Sequence, residues 1–377
     1  MIPFNKPYFS GNEGSYILQA VNSGKISGDG LFTHKCHQYF EDKYGIKKAL
    51  LTSSCTDALE MAAILLDIKE GDEIIAPAYT FVSTVNAFVL RGAKIVFVDS
   101  SSENPNIDIN LIEQAISGRT KAIVVVHYAG IACDLDAVLS LAVKYDLKVI
   151  EDAAQAVDSF YKNRPLGTIG DIGTFSFHET KNIISGEGGL ISINNQSYIA
   201  RAEIIREKGT NRSSFFRGEV DKYGWVDIGS SFLPSDLTAA FLFAQLERMS
   251  DIQAKRKLLW NVYNERLKII ERNGRIKLPT IPEYAVNNAH MFYIVLESLE
   301  QRTQLIAFLK SKGVMAVFHY LSLHKSHFYK GKYDGPDLVY SDQYSDCLLR
   351  LPLYYELKEE QVEKICDLVK SFFGESK

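Results

Sequence analysis

Short apolar runs alternate with helical patterns between Thr52 and Asn194, and this alternation constrains the fold more than any other feature of the sequence. The apolar runs are typical of strands buried on both faces and lie at 73–76, 94–98, 122–126 and 148–150. The segments with helical spacing between them are Thr80–Arg91, Asn110–Ser117 and Asp134–Tyr145. Strands that alternate with helices form a mainly parallel sheet with helices on both faces, so we predict an α/β fold.

The pattern changes beyond about residue 250. Long helical patterns at Ser235–Met249 and Ile252–Asn273 lead to a proline-marked connection at 278–282. A strand at Met291–Leu296 and helices at Thr303–Gly313 and Glu359–Phe373 follow. We therefore predict a large domain over residues 1–250 and a smaller C-terminal α+β domain over residues 251–377. The N-terminal segment is expected to pack on the smaller domain.

Composition excludes several classes of function. The 377 residues are 46% hydrophobic and 23% charged, with a formal net charge of −4 and no basic block, so nucleic acid is not expected as a partner. No uncharged apolar stretch of about 18 residues is present, so no membrane span is expected. The five cysteines are scattered and the N-terminus lacks a signal-peptide pattern, which indicates a cytoplasmic protein with reduced thiols. Neither cysteine nor histidine spacing indicates a metal site.

Small hydroxyl residues precede a helical pattern in the segment TSSCTDAL at 52–59. Backbone N–H groups at a helix start, together with the hydroxyls of Ser54 and Thr56, form a site suited to a phosphate group. Ordinary capping of the helix by Ser54 would give the same pattern.

Two polar residues follow the predicted strand that ends near Ile150. Asp152 would lie at the carboxyl end of a buried strand, where α/β sheets bind ligands, and could hold a protonated pyridine nitrogen. Gln155 could bond the phenolic oxygen of the same ring. In the alternative interpretation, the acidic residues at 151 and 152 begin a solvated helix.

Lys181 follows the segment TFSFHET and precedes a glycine turn, GEGG, at 186–189. Shielding by Phe175 and Phe177 would lower the pKa of the lysine amine enough for it to act as nucleophile and base. Most lysines are surface charges, so Lys181 alone is weak evidence. The order of phosphate site, Asp152 and Lys181 is the arrangement of a pyridoxal-phosphate (PLP) site.

Seven segments carry a resemblance to a known family: TSSCTDALEMA, PAYTFVSTVNAF, GAKIVFVD, VHYAG, VIEDAAQA, TFSFHETKN and GEGG. In order and spacing they resemble the DegT/DnrJ/EryC1/StrS sugar aminotransferases, and the resemblance covers nearly the whole chain. It implies the aspartate-aminotransferase-like fold (fold type I), with a large mainly parallel α/β domain, a smaller C-terminal α+β domain and PLP as the cofactor.

The resemblance also implies roles for single residues. Lys181 would hold PLP as a Schiff base, Asp152 would pair with the pyridine nitrogen, and Gln155 would contact the ring hydroxyl side. Phosphate-binding groups would come from Ser176 and from the turn of Ser54, Cys55 and Thr56. Phe81 matches the aromatic residue that stacks on the cofactor ring, although it could equally be a core aromatic at a helix start.

One segment departs from the family pattern. Many members carry G-[FY]-N-[YF]-R, whose asparagine reaches the phosphate bound by the neighbouring subunit, where this chain has Gly229-Ser230-Ser231-Phe232-Leu233. Ser231 could replace that asparagine with a shorter hydrogen bond. The arginine is missing, so its contact is not carried over.

Two further segments contain candidate substrate-binding residues. The segment 208–225 is predicted to be a long loop in which Arg212 and Arg217 could bind a diphosphate, or could lie on a solvated surface or a dimer contact. The HYLSLH segment offers His319, Tyr320 and His324 as contacts to sugar or cofactor. A structural role is the alternative for each histidine.

The predicted reaction follows from the resemblance. HETKN, REKGTNRSSFFRG and VFHYLSLH are most similar to family members that aminate TDP-4-oxo-6-deoxy-D-glucose with L-glutamate. A homodimer with its active site between subunits is implied. Amination at C3, the gluco epimer as product, and a catalytically silent sensor or scaffold remain alternatives. The sugar dehydratases of the family carry histidine in place of the lysine, so Lys181 argues against dehydration.

Overall fold

The computed structural model describes residues 1–375. The strands, in chain order, are β1 (Lys48–Thr52), β2 (Glu73–Pro77), β3 (Lys94–Val98), β4 (Thr120–Val126), β5 (Lys148–Asp152), β6 (Phe160–Tyr161), β7 (Arg164–Pro165), β8 (Ile172–Ser176), β9 (Gly189–Ile193), β10 (Ala285–Val286), β11 (Phe292–Val295), β12 (Val317–Phe318) and β13 (Leu348–Leu351).

The helices, in chain order, are α1 (Glu13–Asn22), α2 (Leu31–Tyr44), α3 (Cys55–Leu65), α4 (Ser83–Val89), α5 (Ile109–Ile112), α6 (Leu135–Tyr145), α7 (Ile199–Arg206), α8 (Arg212–Phe216), α9 (Asp236–Leu246), α10 (Met249–Arg272), α11 (Leu299–Ser311), α12 (Val339–Cys347) and α13 (Glu359–Phe372). The predicted helix at Asn110–Ser117 is shorter than expected: it consists of α5 and a single 3₁₀ turn at Glu113–Ala115.

The largest sheet has seven strands in the order β1-β9-β8-β5-β4-β2-β3. The neighbouring strands from β8 to β3 are parallel, and β9 runs antiparallel to both β8 and β1. The four strands predicted from apolar runs are confirmed as β2, β3, β4 and β5. The mainly parallel sheet of the predicted α/β fold is therefore confirmed.

Successive side chains of the central strands point to opposite faces of the sheet and pack in different hydrophobic cores. Ile75, Ile123 and Val149 belong to the core on one face of the sheet. Ile74 and Ile150 belong to the core on the other face. Burial on both faces explains why these strands are apolar at nearly every position instead of every second one.

The C-terminal part contains the three-stranded antiparallel sheet β11-β13-β12, which packs with α10, α11 and α13 around its own core. Ile2 joins this core, and its backbone N–H donates to the Gly313 carbonyl at 2.8 Å. The start of α10, at Met249 and Ile252, packs in the core of the large sheet, whereas Leu259 lies in the C-terminal core. This helix thus bridges the two parts, and the division at residue 250 stays a prediction.

Two classes of feature are absent from residues 1–375. Every helix in this range is too short or too polar to cross a bilayer. The same residues contain no group of three or more histidine, cysteine, aspartate or glutamate side chains placed to hold a metal ion.

Candidate active site

A cavity of about 870 Å³ lies where β4, β5 and β8 end and where the C-terminal sheet approaches them. Pockets of this size hold a cofactor-sized or drug-sized ligand. The lining includes Ser54, Cys55, Thr56, Phe81, Thr84, Asp152, Gln155, Ser176, Lys181, His290, His319, Tyr320 and Arg350. Residues far apart in the sequence are therefore brought to the carboxyl-terminal edge of the sheet, the usual place for ligands in this class of fold.

Asp152 is the last residue of β5, where it pairs with Val126 of β4 and Thr174 of β8. Its side chain is buried, and the carboxylate accepts hydrogen bonds from the Thr84 hydroxyl at 2.7 Å and the Ala154 N–H at 3.1 Å. Burial raises the pKa of Asp152, and these hydrogen bonds oppose the rise. The alternative of a solvated helix start is therefore wrong for this residue.

Lys181 lies in a tight turn between β8 and β9, where its N–H donates to the His178 carbonyl at 2.9 Å. The side chain lines the cavity. Burial lowers the pKa of Lys181, while the nearby Cys55 and Asp152 act in the opposite direction. The amine is thus in an environment that favours its neutral, nucleophilic form.

A buried hydrogen-bond network fixes the backbone directly after Lys181. The side-chain N–H₂ group of Asn182 donates to Gln253 Oε1 and to the Asn288 carbonyl, both at 2.8 Å. Its oxygen lies 2.9 Å from Nδ1 of His290, which also lines the cavity. The turn that contains Lys181 is thus fixed by hydrogen bonds from Asn182 to residues in the C-terminal half of the chain.

The start of α3 forms a polar end of the cavity. Ser54 caps this helix, accepting a 3.0 Å hydrogen bond from the Asp57 N–H, so the capping interpretation holds while Ser54, Cys55 and Thr56 all line the cavity. Gly189 packs so closely that an added Cβ would lie 2.3 Å from the Ser54 carbonyl carbon. The exposed N–H groups of a helix start offer a site for a phosphate group.

Gln155 connects the large sheet to the C-terminal part. Its Oε1 accepts from the Ala129 N–H at 2.6 Å, and its Nε2 donates to the Tyr320 hydroxyl at 2.8 Å. The Tyr320 ring stacks on His319 with centroids 3.6 Å apart and lies 5.8 Å from the ring of Phe81. Three aromatic rings therefore line this wall, and Phe81 remains 53% exposed.

Four residues predicted to bind ligand lie outside the cavity lining of this chain. Arg212 pairs with Glu207 at 3.0 Å, and Arg217 pairs with Glu203 at 2.9 Å and Glu219 at 2.7 Å. The supposed long loop around them contains α8, which corrects the prediction that it lacks secondary structure.

The other two of these residues, Ser231 and His324, contact other parts of the same chain. Ser231 is exposed and forms a backbone bridge with Glu207. His324 sits in a 3₁₀ turn, with Nε2 3.5 Å from Asp342 and its ring 5.0 Å from that of Tyr333. His324 is therefore absent from the cavity lining that includes His319 and Tyr320, and its contacts fit the alternative of a structural histidine.

The cavity residues that were not predicted from the sequence include Thr84, His290 and Arg350. Thr84 lies inside the helical pattern after PAYTF. A polar residue among apolar ones in such a pattern could have indicated a site residue. Arg350 lies between leucines in CLLRLPL, and a lone charge in an apolar strand was a second signal.

Comparison with known proteins agrees with this architecture. The profile of the DegT/DnrJ/EryC1/StrS aminotransferase family matches residues 8–370. The chain belongs to this family. An uncharacterized protein of Methanocaldococcus jannaschii, MJ1066, is 34% identical over 390 residues, covering 100% of this chain and 98% of that protein.

Solved structures of other proteins superpose closely on this chain. The PMP-form of Spr1654 from Streptococcus pneumoniae has a TM-score of 0.90 at 26% identity and covers 99% of both chains. DesV of S. venezuelae has a TM-score of 0.88 at 26% identity and covers 100% of this chain and 99% of its own. Both structures share the whole fold of this chain, which is that of PLP-dependent aminotransferases.

Proposed function

We propose that this sugar aminotransferase moves the amino group of L-glutamate to C4 of TDP-4-oxo-6-deoxy-D-glucose. The products are 2-oxoglutarate and TDP-4-amino-4,6-dideoxy-D-galactose. The chain belongs to an aminotransferase family of which PLP and PMP forms have been solved, so PLP is its cofactor. One observation supports the proposal above all others: Lys181 and Asp152 face the same cavity, and burial shifts their pKa values in opposite directions.

The lining residues fit PLP. A buried carboxylate such as that of Asp152 is costly without a cationic partner, and a protonated pyridine nitrogen would supply one. The start of α3, with Ser54 and Thr56, offers hydrogen-bond donors for the phosphate, and Ser176 adds a hydroxyl from the end of β8. When bound, PLP carries the amino group between the two substrates and takes up the electron pair left by proton removal.

Lys181 would move the proton in both half-reactions. Its neutral amine would take the proton from Cα of L-glutamate, and in the second half-reaction it would deliver a proton to C4 of the sugar. Burial lowers the pKa of Lys181, which makes the neutral amine accessible nearer to physiological pH. Asp152 would keep the ring nitrogen protonated and so stabilise negative charge that develops at the reacting carbon.

The substrate is inferred from sequence similarity. HETKN, REKGTNRSSFFRG and VFHYLSLH resemble the transaminase that makes TDP-4-amino-4,6-dideoxy-D-galactose for enterobacterial common antigen, a lipopolysaccharide-associated glycan. His319 and Tyr320, from the last of these segments, line the cavity at the wall that includes Phe81. We expect the hexose ring to lie against this aromatic wall.

We further propose a homodimer in which residues 208–231 of one subunit reach the active site of the other. This segment exposes large apolar side chains, with Trp225 83%, Phe216 69% and Ile228 43% exposed, which is unusual for a free surface. Arg212, Arg217 and Ser231 belong to the same segment and could then contact phosphate groups across the interface.

The visible spectrum of the PLP-loaded protein tests the reaction. L-glutamate should remove the yellow absorbance and TDP-4-oxo-6-deoxy-D-glucose should restore it, after which NMR of the product identifies the epimer. Restoration only by another keto-sugar would keep the transamination and reject the substrate. A product with the gluco configuration would reject the epimer. Absorbance that never responds to any amine would reject transamination and favour a sensor or scaffold.

A further inference from the structure

His319 and Tyr128 form a buried pair beside the active-site cavity. His319 directly follows β12 and lines the cavity, whereas Tyr128 lies in a 3₁₀ turn just after β4. The Tyr128 hydroxyl lies 2.6 Å from Nδ1 of His319, and both side chains are buried. The pair therefore connects the large sheet to the C-terminal one at the edge of the cavity.

The hydrogen bond in this pair runs from tyrosine to histidine. Burial raises the pKa of Tyr128 well above its usual range, so the hydroxyl keeps its proton. This hydroxyl has no hydrogen-bond partner among residues 1–375 other than Nδ1 of His319. An unpaired O–H donor in the interior is costly, so Tyr128 donates and Nδ1 accepts.

The imidazole ring of His319 is neutral. Burial lowers its pKa well below the usual range, and the charges of Arg350 and Lys181 lower it further. Because Nδ1 accepts from Tyr128, the single proton of the neutral ring is on Nε2. Nε2 has no hydrogen-bond partner in the described part of the chain but keeps accessible surface, so His319 offers a neutral N–H donor to a ligand in the cavity.

His290 provides an internal comparison, because it is a second neutral histidine in the cavity lining with the opposite polarity. Burial lowers the pKa of His290 as well. The N–H₂ group of Asn182 donates to Gln253 and to the Asn288 carbonyl, so the Asn182 oxygen faces Nδ1 of His290. That nitrogen therefore carries the proton, which leaves Nε2 of His290 as an acceptor. Of these two histidines, His319 is the donor.

We propose that His319 donates a hydrogen bond from Nε2 to the oxygen of the substrate ketone, and that Tyr128 is the positioning residue that fixes this tautomer. The inference rests on the proposed transamination and assigns one step within it. During amination the ketone carbon gains a bond to nitrogen and its oxygen leaves as water, whose two hydrogens come from the amine nitrogen. Negative charge builds on this oxygen before it leaves, and a fixed donor stabilises that charge.

Position and chemistry favour the ketone oxygen over other atoms of the ligands. The charge of Lys181 acts on His319, so the donor lies near the group that moves the proton at the reacting carbon. A ketone oxygen only accepts hydrogen bonds, which matches an N–H group that only donates. The reacting carbons of both substrates occupy the same place, so 2-oxoglutarate should gain its ketone oxygen from water beside the same donor.

Two measurements on the PLP-loaded protein separate proton removal from the exchange of oxygen. Exchange of the Cα hydrogen of L-glutamate with solvent, followed by NMR, reports proton removal, which involves no ketone oxygen. His319→Phe should leave this exchange near wild type but slow the release of 2-oxoglutarate and the amination of the sugar roughly 100-fold, the effect of losing one donor to developing charge. His319→Gln, which offers an amide N–H, should recover part of both rates.

Tyr128→Phe tests the positioning role. It should slow the same two steps roughly 3- to 10-fold, the range for loss of one neutral hydrogen bond. Ring-nitrogen NMR of histidine-labelled protein should show the His319 proton on Nε2 in the wild type and distributed over both nitrogens in the variant. The signal that disappears in His319→Gln identifies the residue.

Tyr293→Phe is the matched control. Tyr293 is buried in the same aromatic cluster, with its ring 5.8 Å from that of Tyr128, but its hydroxyl has no partner among residues 1–375 and it lies outside the cavity lining. The variant loses the same hydroxyl group without losing a hydrogen bond. It should therefore keep both rates and the wild-type position of the His319 proton.

Several results would overturn the assignment. An effect of His319→Phe on the KM for one substrate alone would make His319 a binding contact. Slowing of Cα exchange as much as product release, unchanged rates in a folded variant, or a wild-type proton on Nδ1 would each reject the proposed donor. Absence of Cα exchange in the wild-type protein would instead reject the proposed function itself.

Discussion

The hydroxyl of Thr84, on α4, donates a 2.7 Å hydrogen bond to Oδ2 of Asp152, at the end of β5. The same hydroxyl lies 2.8 Å from that of Thr80, and both threonines are buried. Because the Ala154 N–H holds Oδ1 at 3.1 Å, each carboxylate oxygen has a fixed donor. The orientation of Asp152 is therefore set by the protein before any ligand binds.

Thr84→Val should impair catalysis without unfolding the protein. Burial raises the pKa of Asp152 and the Thr84 hydrogen bond opposes this rise, so its loss should raise the pKa further. We expect kcat to fall roughly 10-fold, as for loss of one hydrogen bond to a charged group, and the acid limb of the pH–rate profile to move to higher pH. Steady-state kinetics across pH measure both. Thr84→Ser keeps the hydroxyl and should stay near wild type; an unchanged profile in Thr84→Val would contradict this role.

Gly189→Ala should weaken cofactor binding. The new Cβ would lie 2.3 Å from the Ser54 carbonyl carbon and 2.5 Å from the Cys55 nitrogen, so the start of α3 must move. Fluorescence titration with PLP should show a weaker Kd. Gly188→Ala is the matched control, because the nearest atom to its Cβ would be the Ser185 hydroxyl oxygen at 2.3 Å, which can rotate away, and the next would be Phe177 Cβ at 3.4 Å, an ordinary contact. Equal affinities of the two variants would show that the phosphate lies elsewhere.

Much of the fold was predictable from sequence because strands buried on both faces and helices with one apolar face leave strong periodic signals. The strands β2 to β5 and helix α6 were located to within a few residues. The strand β1 was missed, since KALLT is short and merges with the hydroxyl-rich segment after it. The short helix α8 was also missed, because RSSFF has no complete helical period.

The candidate site was less predictable than the fold. Asp152 and Lys181 were identified by residue type and order, because each lies in a short local motif, VIEDAAQA and TFSFHETKN. The positions of His324 and Arg350 depend instead on how the C-terminal sheet meets the large one, a long-range relationship that no local pattern records. Residues 212, 217 and 231 lie outside the cavity lining of this chain, and Arg212 and Arg217 pair instead with glutamates of the same chain.

Glu151→Gln should destabilise the protein near neutral pH by about 3 kcal/mol, because it removes the charged acceptor of a buried hydrogen-bond network and leaves buried donors unpaired. Glu151 is buried and accepts from His127 Nε2 at 3.0 Å and from the N–H groups of Gly167, Ile169 and Gly170 at 2.7, 2.6 and 2.6 Å. An amide nitrogen would face donors that it cannot accept from. Urea unfolding measures the loss, and a variant as stable as wild type would contradict this account.

The same carboxylate should make stability depend on pH. Burial acts to raise the pKa of Glu151, but the hydrogen bonds from His127 and the backbone outweigh it, so the pKa lies below the usual 4.5. A carboxyl group whose pKa is lower in the folded than in the unfolded protein stabilises the fold at pH values above its unfolded-state pKa. That stabilisation is lost as pH falls through its folded-state pKa. As pH falls below about 4.5, Glu151→Gln should therefore lose less stability than wild type. Glu113→Gln, which removes an exposed pair with Lys144, is the control and should behave as wild type.

Trp225→Arg should dissociate the proposed homodimer. Trp225 is 83% exposed in the single chain, and a charge at the centre of an apolar contact would be buried without a partner. Sedimentation velocity should show a shift from dimer to monomer. Val143→Arg places the same charge at another highly exposed apolar position, 84% exposed on α6, and should leave the dimer intact. A wild-type monomer would reject the proposed assembly.

Reduction of the PLP-loaded protein with sodium borohydride, followed by peptide mass spectrometry, tests the central claim most directly. If the cavity lysine holds the cofactor and releases it to an amino donor, the phosphopyridoxyl group should be found on Lys181. Prior treatment with L-glutamate should abolish the label. A label on a different lysine, or a label on Lys181 that L-glutamate does not remove, would contradict the assignment of this cavity as the site of transamination.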